Sequence, residues 1–179
     1  MARIDRDAVL RAGLAVADES GLGAVTVRRV ADRLGVTPMA LYRHVAGKDD
    51  LLDGIADLLY AELDVPAPGG DWWEELAALA RSTRHVLLRH PEAAPLFSRP
   101  LSGPHSLHVG EALLGTLERA GFYPREAQEL HDQLSGMVFA LIAPELHPGP
   151  KRGRRARDAA FERGIELLHA GLAERLGQQ

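Results

Sequence analysis

Few folds accept the junction Gly35-Val36-Thr37-Pro38. On its N-terminal side Thr26 can cap a helix that carries Val30, Ala31 and Leu34 on one face, and Gly35 stands where a left-handed residue is wanted after the last turn. On its C-terminal side Thr37 caps a third helix, with Pro38 at the first position, where a missing N–H costs nothing. Two short capped helices joined this tightly read as a helix-turn-helix. Ala31 is small where the helices cross, and Leu41 falls inside the crossing to lock the pair. The outward surface is then Thr37, Pro38, Met39, Ala40, Tyr42, Arg43 and His44: short or flat side chains followed by phosphate binders. A helix pushed tip first into a major groove needs that division, because its tip approaches base edges while its flanks hold the backbone.

The rest of the chain has helical periodicity as well, without sustained apolar/polar alternation, so an all-α fold is expected. Asp5 can cap a first helix with Val9, Ala12, Val16 and Ala17 in phase, ending at Ser20-Gly21. A fourth runs from about Lys48 to Leu63 with Asp49 and Asp50 in its first turn, where the helix dipole favours anions. Val65-Pro-Ala-Pro-Gly-Gly70 cannot continue a helix and divides the chain. The expected organisation is a DNA-binding domain at 1–47, a connecting helix at 48–64 and a second helical domain at 71–179. In that domain helices run from Trp72 towards Pro91, from Leu107 to Ala120 and from Pro124, and a last amphipathic helix carries Phe161, Ile165, Leu168, Leu172 and Leu176. Pro144 to Arg155 reads as a breaker-rich linker. Its basic run Lys151-Arg-Gly-Arg-Arg155 reads as a solvated loop, with a second phosphate contact as the alternative.

The net charge of −4 is unevenly placed: the first 48 residues carry 8 Lys and Arg against 5 Asp and Glu, and the excess of acid lies in the remainder. Within Thr26–Lys48 five cations, Arg28, Arg29, Arg33, Arg43 and Lys48, face only Asp32. Such a segment on an acidic body suits a local polyanion contact, and a solvated helix face is the equal reading of charge alone. The chain has no cysteine, which excludes disulfides, thiolate chemistry and Cys-ligated metals and suits a reducing, cytoplasmic location. Its longest apolar run, Met137 to Ala143, is far short of the ~20 residues of a membrane helix, so no membrane partner is expected.

Thr-Val-Arg-Arg-Val-Ala-Asp-Arg-Leu-Gly-Val-Thr-Pro-Met-Ala-Leu-Tyr-Arg-His-Val from Thr26, followed by Lys48-Asp-Asp-Leu-Leu, resembles the DNA-binding domain of the TetR family of bacterial repressors. More loosely, the second domain is similar to the ligand-binding and dimerising domain of the tetracycline-repressor branch, through Trp72, Leu87-Leu88-Arg89-His90, Ser98-Arg99-Pro100 and Gly121-Phe122. The resemblance implies a homodimeric, ligand-responsive repressor on a palindromic operator in double-stranded DNA. Arg28 would reach a guanine edge, and Met39 and Ala40 would touch thymine methyls. Thr26, Thr37, Tyr42, His44 and Lys48 would hold phosphates. Pro38 replaces an amide-bearing residue of the tetracycline repressors, so the operator should differ from theirs.

The positions that supply magnesium-binding histidines in the tetracycline repressors fall at Asp64 and about Pro95, which speaks against a magnesium–tetracycline ligand. A more apolar small-molecule pocket is expected from Leu79, Thr83, Leu113, Leu117, Leu134 and Met137, with Ser98, Arg99 and His131 as polar anchors. Leu130, Val138, Leu141, Phe161, Ile165, Leu168 and Leu172 are the expected dimer contacts. His105-x-x-His108 has the spacing of a half metal site, but such pairs also serve as surface or capping histidines, and no metal or cofactor is assigned. No catalytic fingerprint is present, so an enzyme on a helical bundle is the weakest rival, behind a DNA-binding regulator controlled by a protein partner.

Overall fold

The computed structural model describes residues 4–147 and 153–178. Among them the long regular elements are helices: α1 (Arg6–Ser20), α2 (Val27–Leu34), α3 (Pro38–Leu41), α4 (Lys48–Ala61), α5 (Trp72–Arg89), α6 (Pro104–Ala120), α7 (Pro124–Leu146) and α8 (Arg154–Leu176). The all-α expectation holds. None of these helices is long and apolar enough to cross a membrane.

Most local signals act as their chemistry dictates, although Thr37, at the N-cap position of α3, makes no side-chain capping bond. The Asp5 carboxylate accepts from the Ala8 amide at 2.8 Å and the Thr26 hydroxyl from the Arg29 amide at 3.1 Å, each satisfying an amide that has no partner within its own helix. Gly35 closes α2 at φ 69° and ψ 33°, a left-handed conformation that costs a residue without Cβ nothing. Several boundaries differ from the sequence reading, α6 among them, which starts at Pro104 rather than Leu107. Helix α7 runs through Pro144 to Leu146, because a proline in the last turn removes only one backbone hydrogen bond and Glu145 behind it is held by Arg84 at 2.8 Å. Helix α8 already includes Arg154 and Arg155, so this part of the basic run is helical; Lys151 and Arg152 lie outside the described residues.

The chain forms two compact units. The first reaches to Glu62 and also takes in Arg89–His108, so it does not follow the division at Val65–Gly70. Its core is Val9, Val16, Val25, Val30, Ala31, Leu41, Val45, Leu51, Ile55 and Leu59. Helices α1 and α4 cross on two glycines: a Cβ at Gly13 would stand 2.7 Å from Ile55 Cδ1, and one at Gly54 2.4 Å from Leu10 Cδ2. Arg89–His108 is fastened to these helices by ion pairs and hydrogen bonds and carries the buried Ala93, Ala94 and Leu96. Arg89 pairs with Glu62, the His90 Nδ1 lies 2.9 Å from an Asp18 oxygen, and Arg99 donates to Asp53 at 2.6 Å. Tyr60 packs on Phe97 with ring centres 4.5 Å apart, and burial pushes the Tyr60 hydroxyl up to about 12.

The second unit comprises Leu63–Leu88 and the chain from Val109 onward. Leu76, Leu117, Phe122, Ala127, Leu130, Leu134 and Leu172 form its core, with Leu113 and Leu168 packed against it. Two buried carboxylates are compensated within it. Glu75 accepts from the Gly69 and Gly70 amides at 2.9 and 2.8 Å, from the Thr116 hydroxyl at 2.8 Å and from Arg119 at 2.5 Å. Glu145 receives Arg84, which also reaches Asp158 at 2.6 Å and lies 4.9 Å over the Phe161 ring. A buried charge persists only with partners of this kind.

Candidate nucleic-acid interface

Helix α3 is a single turn held from beneath. Val36 donates to the Ala31 carbonyl at 3.0 Å, Thr37 is extended as a residue before proline must be, and Ala40 donates to the Thr37 carbonyl at 2.9 Å. Beyond Leu41 the chain keeps turning, with the His44 and Val45 amides both bonded to the Leu41 carbonyl. Leu41 and Val45 are buried, as are Val30 and Ala31 of α2, while other side chains of the turn face outward. Met39 is 78% exposed and Tyr42 53%. Thr26, Thr37, Arg28, Arg43 and Lys48 are exposed as well, while Pro38, Ala40 and His44 are half-buried. The tip is therefore apolar and convex, and its flanks are cationic.

The five cations of this segment divide into two classes. Arg33 donates to both Glu19 oxygens, at 2.7 and 2.8 Å, and Arg29 donates to the Ser20 hydroxyl at 2.8 Å, so these two tie α2 to α1. The Glu19 carboxyl is held below its ordinary range, chiefly by its hydrogen bonds from Arg33. The side chains of Arg28 and Lys48 make no hydrogen bond or ion pair with any other described residue, and the Arg43 Nε donates to the His44 Nε2 at 3.2 Å. The charge available to a polyanion is thus Arg28, Arg43 and Lys48. Sequence spacing did not separate these classes, because Glu19 and Ser20 belong to another helix.

Arg6 and Asp50 carry a connection that the sequence reading missed. Arg6, in the first turn of α1, donates to the His44 carbonyl and, at 2.5 and 3.2 Å, to both oxygens of Asp50, which also accepts from the Ala46 amide at 2.7 Å. The Asp50 carboxyl lies below its usual value, first through Arg6 and, among its other partners, through the Ala46 amide. Nothing local announces a pair 44 residues apart.

The remaining candidates fall as follows. Leu79, Leu117 and Leu134 are buried in the second unit, Leu113 packs on the same core, and the Thr83 hydroxyl donates to the Leu79 carbonyl at 2.9 Å. His131 is half-buried beside Asp132. Ser98 and Arg99 belong to the first unit, where Arg99 is engaged by Asp53. Met137 is 47% exposed and does not line the interior of its unit. Four of the dimer candidates, Leu130, Phe161, Ile165 and Leu172, are buried inside their own chain. Leu168 packs on the core and Leu141 on Gly164 of α8, and Val138 stays half-exposed. The apolar side chain that α8 does present is Leu167, 74% exposed. A helix that is apolar on two sides does not declare which side its own chain covers. His105 lies in the first turn of α6, which Asp57 caps: its amide donates to that carboxylate at 3.0 Å, and its Nδ1 lies 2.8 Å from the other carboxylate oxygen.

A family model described as bacterial regulatory proteins, tetR family, matches residues 9–55, and one described as tetracyclin repressor-like, C-terminal domain, matches residues 65–146. An HTH-type transcriptional regulator of Saccharopolyspora erythraea is 33% identical over 97% of this chain and 86% of its own length. This chain belongs to the TetR family. As a TetR-family member it is a DNA-binding transcription regulator and not an enzyme. Among solved TetR-family proteins it is similar to ActR from Streptomyces coelicolor without ligand, with a TM-score of 0.88 at 27% identity over 99% of both chains. ActR in complex with actinorhodin gives 0.84 at 28% identity over 97% of both. BioQ with its natural double-stranded DNA operator gives 0.78 at 27% identity, covering 96% of this chain and 99% of that one.

Proposed function

We propose that this protein is a repressor that binds a palindromic operator as a homodimer and leaves it when a small, largely apolar effector binds. The carrying observation is the outward surface of α3 and its surroundings, where the exposed Met39 and Tyr42 stand with Arg28 and Lys48, two cations that no described residue engages. Arg28 reads a guanine edge and Met39 and Ala40 contact thymine methyls, with Pro38 shaping the tip. Thr26, Thr37, Tyr42, Arg43, His44 and Lys48 hold the backbone. Residues 1–47 read DNA, 48–64 connect, and the helices after Gly70 serve effector binding and dimerisation.

The dimer face assigned to this chain is the outer side of α7 and α8 around Met137, Val138 and Leu167, since the buried leucines and Phe161 are committed to their own core. Two-fold symmetry of the protein then demands two-fold symmetry of the site. The effector is assigned to the apolar interior around Leu79, Leu113, Leu117 and Leu134, with Thr83 and His131 as polar contacts; the ActR–actinorhodin complex supports a ligand of small-molecule size. A hundredfold release needs only about 2.7 kcal/mol of coupling between the two sites.

Selection of bound fragments from the source genome, with footprinting and affinity at two salt concentrations, tests this. A palindromic footprint held far above random DNA is expected. Sequence-blind binding with a steep salt dependence would overturn it.

A further inference from the structure

We propose that Arg6 and Asp50 form a clasp that sets the position of the reading turn relative to the backbone-gripping residues, and so governs sequence discrimination rather than contact with DNA itself. The inference rests on the operator reading above. Its basis is where the clasp's bonds end. One guanidinium bonds the His44 carbonyl, at the exit of the reading turn, and the Asp50 carboxylate, in the first turn of α4. Asp50 in turn holds the Ala46 amide at 2.7 Å, in the middle of the connection. The segment from Leu41 to Lys48 has no other side-chain tether between its exit and α4 among the described residues, and its ends carry Tyr42, His44 and Lys48. Three elements, the start of α1, the exit of α3 and the start of α4, thereby meet on one ion pair.

Base reading tolerates little displacement, whereas a phosphate contact made by a long side chain tolerates more. Opening the clasp therefore acts on the ratio of operator to random binding. Because the pair is partly exposed, its loss changes stability little. A lysine at position 6 cannot replace it, since one ammonium does not span a carboxylate and a carbonyl in the fork geometry of a guanidinium.

The test compares the wild type with Arg6→Ala, Arg6→Lys, Asp50→Asn and the Arg6→Ala/Asp50→Asn double variant. Each is titrated with the operator fragment recovered by genomic selection and with a shuffled duplex of equal length, over a salt series. Each single variant should lose about tenfold on the operator and less than about twofold on the shuffled duplex, with an unchanged salt slope and with the double variant no worse than the singles. In the DNA-free protein the Ala46 amide should exchange faster in every variant while the melting temperature barely moves. Asp50→Asn decides against the competing role. If Arg6 were a phosphate ligand, removing Asp50's charge would leave binding as tight or tighter, and Arg6→Ala would lower both affinities and reduce the salt slope by about one. That result, or unchanged Ala46 exchange, overturns the clasp. A wild type that does not discriminate the operator overturns the operator reading and the clasp with it; a discriminating wild type with discriminating variants overturns the clasp alone.

Discussion

Arg33 donates from both terminal guanidinium nitrogens to Glu19, at 2.7 and 2.8 Å, and so ties to α1 a charge that lies five residues from Arg28 in the sequence. Two arginines of one short helix thus have opposite roles. Arg33→Ala should leave operator affinity within about threefold and leave stability almost unchanged, because exposed ion pairs contribute little. Lys48→Ala should weaken operator and random DNA alike and reduce the salt slope by about one. Arg28→Ala should cost about 1–3 kcal/mol on the operator and relax base choice at one position of each half-site. Binding measured on single-base operator variants checks all three, and equal losses on operator and random DNA for Arg28→Ala would contradict its base-reading role.

The exposed Leu167 gives the dimer face its sharpest test. A carboxylate there would be buried without a partner in an apolar interface, which costs several kcal/mol per site. Leu167→Glu should turn the protein monomeric in sedimentation at micromolar concentration and abolish protection of the second half-site. Leu172→Glu, at a buried position, should instead unfold the second unit. A dimeric, fully active Leu167→Glu protein would rule out the assigned face.

Acid sensitivity should trace in part to Glu75. Its carboxyl lies below the ordinary 4.5, first through the Thr116 hydroxyl and then, against the opposing effect of burial, through the Gly70 and Gly69 amides and Arg119. A depressed folded-state value means stability that is fully present above pH 4.5 and is lost as the pH falls through the depressed value. Glu75→Gln should lower stability near neutral pH by about 1–3 kcal/mol and flatten the acid limb of the stability profile. Trp72 and Trp73, packed against the same core, report unfolding by fluorescence. Parallel acid limbs in the two proteins would remove Glu75 from the account.

Gly103 should tolerate no side chain. A Cβ there would stand 2.1 Å from Asp57 Cγ, and Asp57 accepts from the His105 and Ser106 amides at 3.0 and 2.8 Å, capping α6 from α4. Gly103→Ala should displace that cap and destabilise by roughly 1–3 kcal/mol in denaturant titration. An unchanged midpoint would show that the turn can shift without loss.

What could be read directly was whatever depends on near neighbours in the chain. Asp5, Thr26, Gly35 and Pro38 take the positions their chemistry assigns because a cap or a left-handed turn involves only three or four residues. The helix-turn-helix and the outward Met39 and Tyr42 follow from that, and the family with them. Pro144 departs from the sequence reading because its effect depends on tertiary context: the lost backbone bond falls in the last turn of α7, where Arg84 holds Glu145.

Tertiary structure decided what depends on a distant partner. Arg33 and Arg28 are alike in type and setting, and only the approach of Glu19 separates a structural cation from an available one. Leu172 and Leu167 lie on one helix, and only packing into the core of the second unit buries the first and leaves the second outward. Arg6 found Asp50, and Gly54 made room for Leu10, across 44 residues of chain in each case. Periodicity tells a helix that it has a face to cover, but which surface covers it depends on the whole chain's close packing, a property no local window of sequence contains.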